Sequence, residues 1–157
     1  MAEIPITKEG YQAVVDELNK LKKVERPDII KKIAEARSHG DLKENAEYHA
    51  ARERQSFIEG RIAYLEGIVA ESKVIDPSSL SGSKVLFGAT VTILDLESDE
   101  ETTYKIVSEV ESDPKNGKIS VTSPIGRALI GKNEGDELKV QTPSGVKEFE
   151  VVEVQFI

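Results

Sequence analysis

Two carboxylates, Asp41 and Glu44, lie three residues apart in a polar, glycine-containing stretch of the chain, residues 37–48. Carboxylate oxygens are the hard ligands that Mg²⁺ prefers, so an exposed pair is a candidate metal-binding group. An Asp-x-x-Glu sequence ahead of a helix is also a capping box, in which both carboxylates accept hydrogen bonds from free backbone amides. The residues alone favour the capping interpretation. The two roles are compatible, although two carboxylates in open solvent would need further ligands, for example from another protein's active centre.

His39 and His49, the only histidines in the sequence, flank the same stretch. Their spacing matches no zinc pattern, and the sequence has no cysteine that could supply a thiolate ligand. Surface positions are therefore favoured over a zinc site.

Four basic residues lie close to the acidic pair: Arg37, Lys43, Arg52 and Arg54. One interpretation is ion pairing along a helix surface, from Glu47 to Lys43 or to Arg52. The other is contact with the phosphates of a nucleic acid, with Tyr48 available to stack on a base. The residues do not decide between these two interpretations.

The segments on either side of this stretch predict an antiparallel helical hairpin. Thr7 is the expected N-cap of the first arm, and apolar positions then recur at three- and four-residue steps, as in a coiled coil. Pro27 interrupts the first arm, where it either kinks the helix or opens a new segment. Arms of about 30 residues would be about 45 Å long and would leave no interior for a substrate. The seam positions are Tyr11, Val14, Leu18, Leu21, Ile29, Ile30, Ile33, Ala34 and Ala36, then Ala51, Gln55, Ile58, Ile62, Leu65 and Val69.

The composition changes after residue 75, where residues 76–83 are rich in Ser, Pro and Gly and predict a linker. Alternating apolar residues beyond it predict strands at 89–94, 103–107, 118–121, 138–140 and 149–154. Hairpin turns are expected at 113–117 and 143–145, and a short helix between its cap Ser123 and Gly131. The predicted fold is α+β: a two-helix coiled-coil hairpin over residues 1–75, then a small antiparallel sheet domain with one short helix over 84–157.

Charge and composition exclude several classes of function. The chain has 157 residues and a formal net charge of -8, which argues against a DNA-coating protein because neutralising phosphates needs clustered Lys and Arg. The excess is uneven: residues 1–79 carry thirteen basic and fifteen acidic side chains, and the remainder eight and fourteen. The second domain contains no histidine and hence no Ser/His/Asp set, so it is predicted to dock rather than to catalyse. Without a signal-like start or a long apolar run, the expected location is the cytoplasm.

Two strings of the sequence resemble the Gre family of bacterial transcript cleavage factors, GreA and GreB. The first is residues 33–52, IAEARSHGDLKENAEYHAAR, and the second is residues 123–131, SPIGRALIG. The resemblance extends over essentially the whole chain, including FGATV at residues 87–91. The modest basic group is more similar to the GreA type, because GreB-type proteins carry a more basic hairpin.

The resemblance implies a transcription elongation factor whose hairpin enters the secondary channel of RNA polymerase. An FKBP-like carboxy-terminal domain would hold the channel rim. When polymerase backtracks, the hairpin tip would stimulate the polymerase's own endonucleolytic cleavage of the extruded RNA 3′ end. The factor would be a monomer without a complete active site, and it would bind no metal when isolated.

The same resemblance implies roles for individual residues. The family's acidic pair falls on Asp41 and Glu44, which would help to hold a second Mg²⁺ and its attacking water beside an ion that polymerase holds. The expected contacts with RNA or polymerase are Arg37, Asn45, Tyr48 and Arg52, with Asn45 and Tyr48 in supporting roles.

Three alternatives come from other classes of function. A non-cleaving binder of the same channel would inhibit polymerase, and such a protein need not keep a carboxylate pair at its tip. A peptidyl-prolyl isomerase would need an aromatic-lined pocket, for which the second domain offers only Phe87, Tyr104, Phe149 and Phe156. In a plain coiled-coil adaptor the tip carboxylates would serve only as caps.

Overall fold

A computed structural model describes residues 3–157, so residues 1 and 2 of the expected hairpin segment 1–75 lie outside the described residues. The chain forms two compact units, one over residues 11–72 and the other over residues 3–10 and 73–157. The first is helical and the second contains the main sheet, as the predicted α+β class requires. Among the described residues, no helix combines the length and the apolar character needed to cross a membrane.

The first arm of the hairpin runs unbroken through Pro27. It consists of α1 (Lys8–Lys20), a π-helical segment (Leu21–Glu25) and α2 (Arg26–Arg37). The Arg26 amide donates to the carbonyl of Leu21, five residues back, instead of four. A proline removes one amide donor and crowds the preceding turn, so the wider π turn ahead of it lets the arm continue. Pro27 lies in the first turn of α2, as one of the two expectations had it, and the arm continues through it without a break.

The return arm is a single helix, α3 (Ala46–Glu71), which packs along α2. The predicted seam is confirmed, because the buried positions recur at the expected steps on both arms. Ile30 and Ala34, which the pattern also included, are exposed instead. The buried seam residues are Val14, Leu21, Ile29, Ala36, Ala51, Ile58, Ile62 and Leu65.

Four ion pairs join the arms along the edges of the seam: Glu17–Arg61, Lys22–Glu66, Glu25–Arg54 and Arg26–Glu59. Their side chains are between 30% and 50% exposed, and solvent screening leaves exposed pairs of this kind with little net stabilisation. The buried seam therefore dominates the packing, and the ion pairs add to its register.

The second unit contains a five-stranded sheet in the order β5-β4-β3-β7-β6. Its strands are β3 (Thr90–Asp95), β4 (Glu101–Val107), β5 (Lys118–Ser120), β6 (Glu137–Thr142) and β7 (Gly145–Gln155). One short helix, α4 (Pro124–Leu129), lies against β5 and β6. Ser123 caps this helix as predicted, since its Oγ accepts a hydrogen bond from the Gly126 amide at 3.0 Å.

The expected antiparallel sheet and one of its turns need correction. The turn at residues 143–145 joins β6 to β7 as predicted. A tight turn does form at 113–117, closed by the antiparallel bridge between Asp113 and Lys118, but it joins no two strands of the sheet because β5 pairs with β4 in parallel. Two short 3₁₀ turns, Glu109–Glu111 and Pro114–Asn116, lengthen this connection. The longer path brings the chain back to run in the same direction as β4.

The amino-terminal segment belongs with the sheet unit, which the expected boundary at residue 75 missed. Strand β1 (Ile4–Thr7) pairs with β2 (Ser72–Ile75) in a separate two-stranded sheet. The Glu111 carboxylate accepts hydrogen bonds from the amide and hydroxyl of Thr7 and from those of Ser108. A Cβ at Gly10 would overlap this carboxylate, so the glycine permits the close approach. The hydrogen bonds between Thr7 and Glu111 span 104 residues of sequence, so no local pattern predicts them.

Candidate functional site

The tip of the hairpin is a non-helical connection between the end of α2 at Arg37 and the start of α3 at Ala46. The amides of Ser38 and His39 donate to carbonyls of the last helical turn, at 3.1 and 3.2 Å. Gly40 then adopts φ +122°, a conformation that side chains with a Cβ rarely adopt. The glycine therefore allows the chain to reverse at this point.

Asn45 fastens the two sides of the tip together. Its side-chain oxygen accepts a hydrogen bond from the Tyr48 amide at 3.0 Å, which makes it the N-cap of α3. Its amide group donates to the Ala36 carbonyl at 2.6 Å, across the hairpin. One side chain thus satisfies a free donor at the start of α3 and adds a second hydrogen bond to the Ala36 carbonyl, which also accepts one from the His39 amide.

Asp41 and Glu44 are both exposed and lie before the helix rather than at its cap. Asp41 Oδ1 accepts a hydrogen bond from the Lys43 amide at 3.0 Å, an Asx turn within the tip. Because Asn45 is the cap, the predicted capping box of Asp41 and Glu44 is wrong. The other carboxylate oxygen of Asp41 takes no part in the hydrogen bond of this Asx turn.

The chemistry of this pair fits a shared Mg²⁺ but not a closed metal site. Mg²⁺ prefers six oxygen ligands and is commonly bound by one or two carboxylates together with water and phosphate oxygens. Within residues 3–157 no group of three or more His, Cys, Asp and Glu side chains is placed to hold an ion. Asp41 and Glu44 would therefore supply part of a coordination sphere.

The basic residues of the tip separate into two kinds. Arg54 forms an ion pair with Glu25 of the first arm at 3.2 Å, so its charge is already partnered. Arg37 and Arg52 are exposed and form no ion pair with any residue of 3–157. The expected pairs from Glu47 to Lys43 or Arg52 are likewise absent from this range. Arg37, Lys43 and Arg52 are therefore the basic residues of the tip that have no ion-pair partner within residues 3–157.

Tyr48 and the histidines complete the surface of the tip. Arg52 donates from Nη1 to the Tyr48 hydroxyl at 3.3 Å, and the Tyr48 and His49 rings meet edge to face at 5.6 Å. His49 Nε2 lies 3.1 Å from the Lys43 carbonyl oxygen, so that nitrogen carries a proton and donates. His39 is exposed. Both histidines thus occupy the surface positions that the sequence favoured.

Sequence reasoning missed the structural role of Asn45. It placed Asn45 among the polar side chains that contact RNA or polymerase, whereas both ends of its amide group bond within the hairpin. A signal was available, since Asn directly before a helix is one of the preferred caps. The Asp-x-x-Glu pattern upstream also predicts a helix cap, so the capping role was predicted for Asp41 and Glu44 instead of Asn45.

The string at residues 123–131 has a clear structural role in the second unit. A Cβ at Gly126 would overlap the Ser120 carbonyl, so glycine lets α4 approach β5. Four of its residues are exposed: Pro124, Arg127, Ile130 and Gly131. The surface groove beside α4 gives no support to a peptidyl-prolyl isomerase, because its lining contains no aromatic residue. That lining is Ala128, Lys132, Glu137, Leu138, Lys139 and Glu148.

Comparison with known proteins gives matches over both units. Residues 4–74 match the family model described as "Transcription elongation factor, N-terminal", and residues 80–156 match "Transcription elongation factor, GreA/GreB, C-term". The chain is 62% identical over 156 residues to a transcription elongation factor GreA of Hyphomonas neptunium, covering 99% of each chain. It is 60% identical over 157 residues to one of Cereibacter sphaeroides, covering 100% of each.

A similar solved structure is that of GreA factor homolog 1 of Thermus thermophilus. It is 30% identical, with 98% of this chain and 99% of that chain covered and a TM-score of 0.45. The family relationship rests on the sequence matches.

Proposed function

Because the chain belongs to the GreA/GreB family of transcription elongation factors, we propose that it binds RNA polymerase and stimulates the polymerase's own cleavage of backtracked RNA. In this proposal the hairpin reaches the active centre through the secondary channel, and the sheet unit contacts the channel rim. Cleavage creates a new RNA 3′ end in the active centre, so that an arrested complex resumes elongation. The factor acts as a monomer in the cytoplasm.

The observation that carries the proposal is that the two tip carboxylates are exposed and do not cap a helix. Asn45 caps α3, so neither Asp41 nor Glu44 is occupied in that role, and both are exposed at the far end of the hairpin unit. Their oxygens are suited to bind Mg²⁺ jointly with ligands from polymerase, while the isolated factor holds none. When bound, such an ion activates a water molecule and neutralises charge on the scissile phosphate.

Asp41 and Glu44 contribute by binding and orientation. The Asx turn from Asp41 to the Lys43 amide fixes the direction of the first carboxylate before it meets polymerase. Pre-organisation of this kind lowers the entropy that is lost when the shared site forms. The start of α3, with its partial positive charge, follows directly and attracts negatively charged groups.

Arg37 and Arg52 are assigned to the backtracked RNA. Both are exposed cations without an ion-pair partner among the described residues. Arg37 is the last residue of α2, and Arg52 lies in the second turn of α3. Arginine forms strong, directional hydrogen bonds with phosphate oxygens. The hydrogen bond from Arg52 to the Tyr48 hydroxyl limits the directions that the guanidinium can take.

In this proposal polymerase carries out the cleavage reaction, and the factor contributes some of the ligands of the metal site. The alternative is a non-cleaving channel binder that inhibits polymerase. Such a protein does not require two exposed carboxylates at its tip, and this chain has them.

The test uses a purified backtracked elongation complex. Addition of the wild-type protein with Mg²⁺ is expected to shorten the RNA, and Asp41→Asn and Glu44→Gln are expected to lose most of that activity while still binding polymerase. The matched control is Glu47→Gln, which removes an exposed carboxylate from the first turn of α3 and leaves the pair intact. Full cleavage by both pair variants would reject the metal role, and inhibition by the wild type would favour the alternative.

A further inference from the structure

Helix α3 exposes two aromatic rings on one face. Phe57 is 59% exposed and Tyr64 is 46% exposed. They lie seven residues apart, which is about two helical turns and about 10 Å along the axis. A single exposed apolar residue is ordinary, so their surroundings decide whether the pair has a role.

Each ring is held by the same arrangement of charged residues. The guanidinium carbon of Arg54 lies 5.0 Å from the Phe57 ring centre, and that of Arg61 lies 5.5 Å from the Tyr64 ring centre. Each arginine also pairs with a glutamate of the first arm, as described above. We call this set the aromatic stripe. Its members are Glu17, Glu25, Arg54, Phe57, Arg61 and Tyr64.

The aromatic stripe is ordered before any partner arrives. Arg61 donates two hydrogen bonds to Glu17, at 2.7 and 3.0 Å, so its guanidinium plane is fixed against the ring. Arg54 bonds to Glu25 at 3.2 Å and covers Phe57 in the same way. Rings that already occupy one orientation lose less rotamer entropy on binding.

The aromatic stripe differs from the RNA-facing tip in its net charge. Its two arginines are balanced by two glutamates, and the hydrogen bonds from Arg61 lower the pKa of Glu17, which keeps that carboxylate ionised. A surface without net positive charge has little attraction for phosphates. Arg37 and Arg52 at the tip lack such partners. Aromatic rings together with arginine are instead enriched in the buried centres of protein interfaces.

We infer that Phe57 and Tyr64 form a docking surface for a protein wall of RNA polymerase, separate from the tip that acts on RNA. This inference rests on the proposed function, because it takes polymerase as the partner. The rings supply the apolar contact, and the paired arginines keep it from attracting nucleic acid. The docking surface adds affinity to that supplied by the sheet unit at the channel rim, whereas the tip sets the cleavage rate of the bound complex.

The first test compares binding and cleavage in the double variant Phe57→Ala/Tyr64→Ala. Both rings are exposed, so their removal leaves the buried seam intact. The dissociation constant for purified polymerase is expected to rise about tenfold or more, the loss typical of interface anchors. Cleavage at saturating factor is expected to stay at the wild-type level. Ile30→Ala, which truncates a residue of the first arm that is 52% exposed, is the matched control and is expected to bind normally.

The second test replaces Phe57 with the photo-crosslinking residue p-benzoylphenylalanine in the full-length factor. Crosslinks to polymerase protein are expected in the elongation complex. Crosslinks mainly to RNA or to a second copy of the factor would overturn the inference, as would an unchanged dissociation constant in the double variant. A wild-type factor that binds polymerase through Phe57 and Tyr64 but stimulates no cleavage would overturn only the proposed function. A wild type that does not bind polymerase would overturn both.

Discussion

Replacing Asn45 with alanine should open the tip of the hairpin without unfolding its arms. The substitution removes the cap of α3, which typically costs about 1 kcal/mol. It also removes the donor to the Ala36 carbonyl, whose loss costs about 1 kcal/mol more for a partly buried acceptor. Together the two losses favour the opened tip by about 2 kcal/mol, or roughly 30-fold in its population.

The measurement is amide hydrogen exchange, resolved by residue. The Tyr48 amide, which donates to Asn45, should exchange about 30-fold faster in Asn45→Ala, whereas amides of the buried seam near Ile58 should not change. The matched variant Asn45→Asp keeps an acceptor for the cap and loses only the donor, so it should show about half of the free-energy effect. Unchanged exchange at Tyr48 in both variants would refute the reasoning that Asn45 holds the tip.

Three further substitutions test the packing and charges of the two units. Gly126→Ala should destabilise the sheet unit by about 1–3 kcal/mol in urea unfolding, because the new Cβ would overlap the Ser120 carbonyl. The pKa of Glu17 lies below its ordinary 4.5 because Arg61 donates hydrogen bonds to it. The Glu17–Arg61 pair therefore stabilises the hairpin at neutral pH, and this stabilisation is lost as the pH falls through the lowered pKa. Glu17→Gln should accordingly reduce the pH dependence of helix melting below about pH 4.5. Glu111→Ala should increase hydrogen exchange at Thr7 and at the start of α1 that follows it, because the Thr7 amide and hydroxyl lose the carboxylate that accepts their hydrogen bonds.

Each of these predictions has a control within the chain. A Cβ at Gly60 meets open space in mid-helix, so Gly60→Ala should stabilise the hairpin by about 0.5–1 kcal/mol where Gly126→Ala destabilises. Glu109→Ala alters an exposed neighbour of Glu111 and should leave exchange in α1 unchanged. A pH profile that Glu17→Gln does not alter would show that the exposed ion pair is fully screened, contrary to the prediction.

The acidic character of the protein is consistent with the division of roles proposed for it. The whole chain carries a net charge of -8, yet only Arg37 and Arg52 at the tip are assigned to RNA. Polymerase would hold most of the nucleic acid, so the factor needs no extended basic surface. The arginines of the aromatic stripe are consistent with this division too. Each offers a planar contact surface while a glutamate balances its charge.

Much of the fold follows from periodic patterns that the sequence displays directly. The steps from Ala51 to Leu65 predict the buried seam, because a coiled-coil face repeats every 3.5 residues whatever its partner. The cap at Ser123 and the turn at residues 143–145 follow from local chemistry, which acts between neighbours and is visible in any short window. The position of the acidic pair at an exposed turn follows in the same way.

Tertiary structure decided the features that depend on residues distant in sequence. The carboxylate of Glu111 ties the segment around Thr7 to the sheet unit across 104 residues, and β5 takes a parallel partner that its local turn residues do not specify. At the tip, two capping signals compete, and Asn45 prevails because its amide group can also reach the Ala36 carbonyl across the hairpin. The sequence therefore determined which side chains lie at the tip. The folded hairpin determined that Asn45 closes the turn, leaving Asp41 and Glu44 exposed.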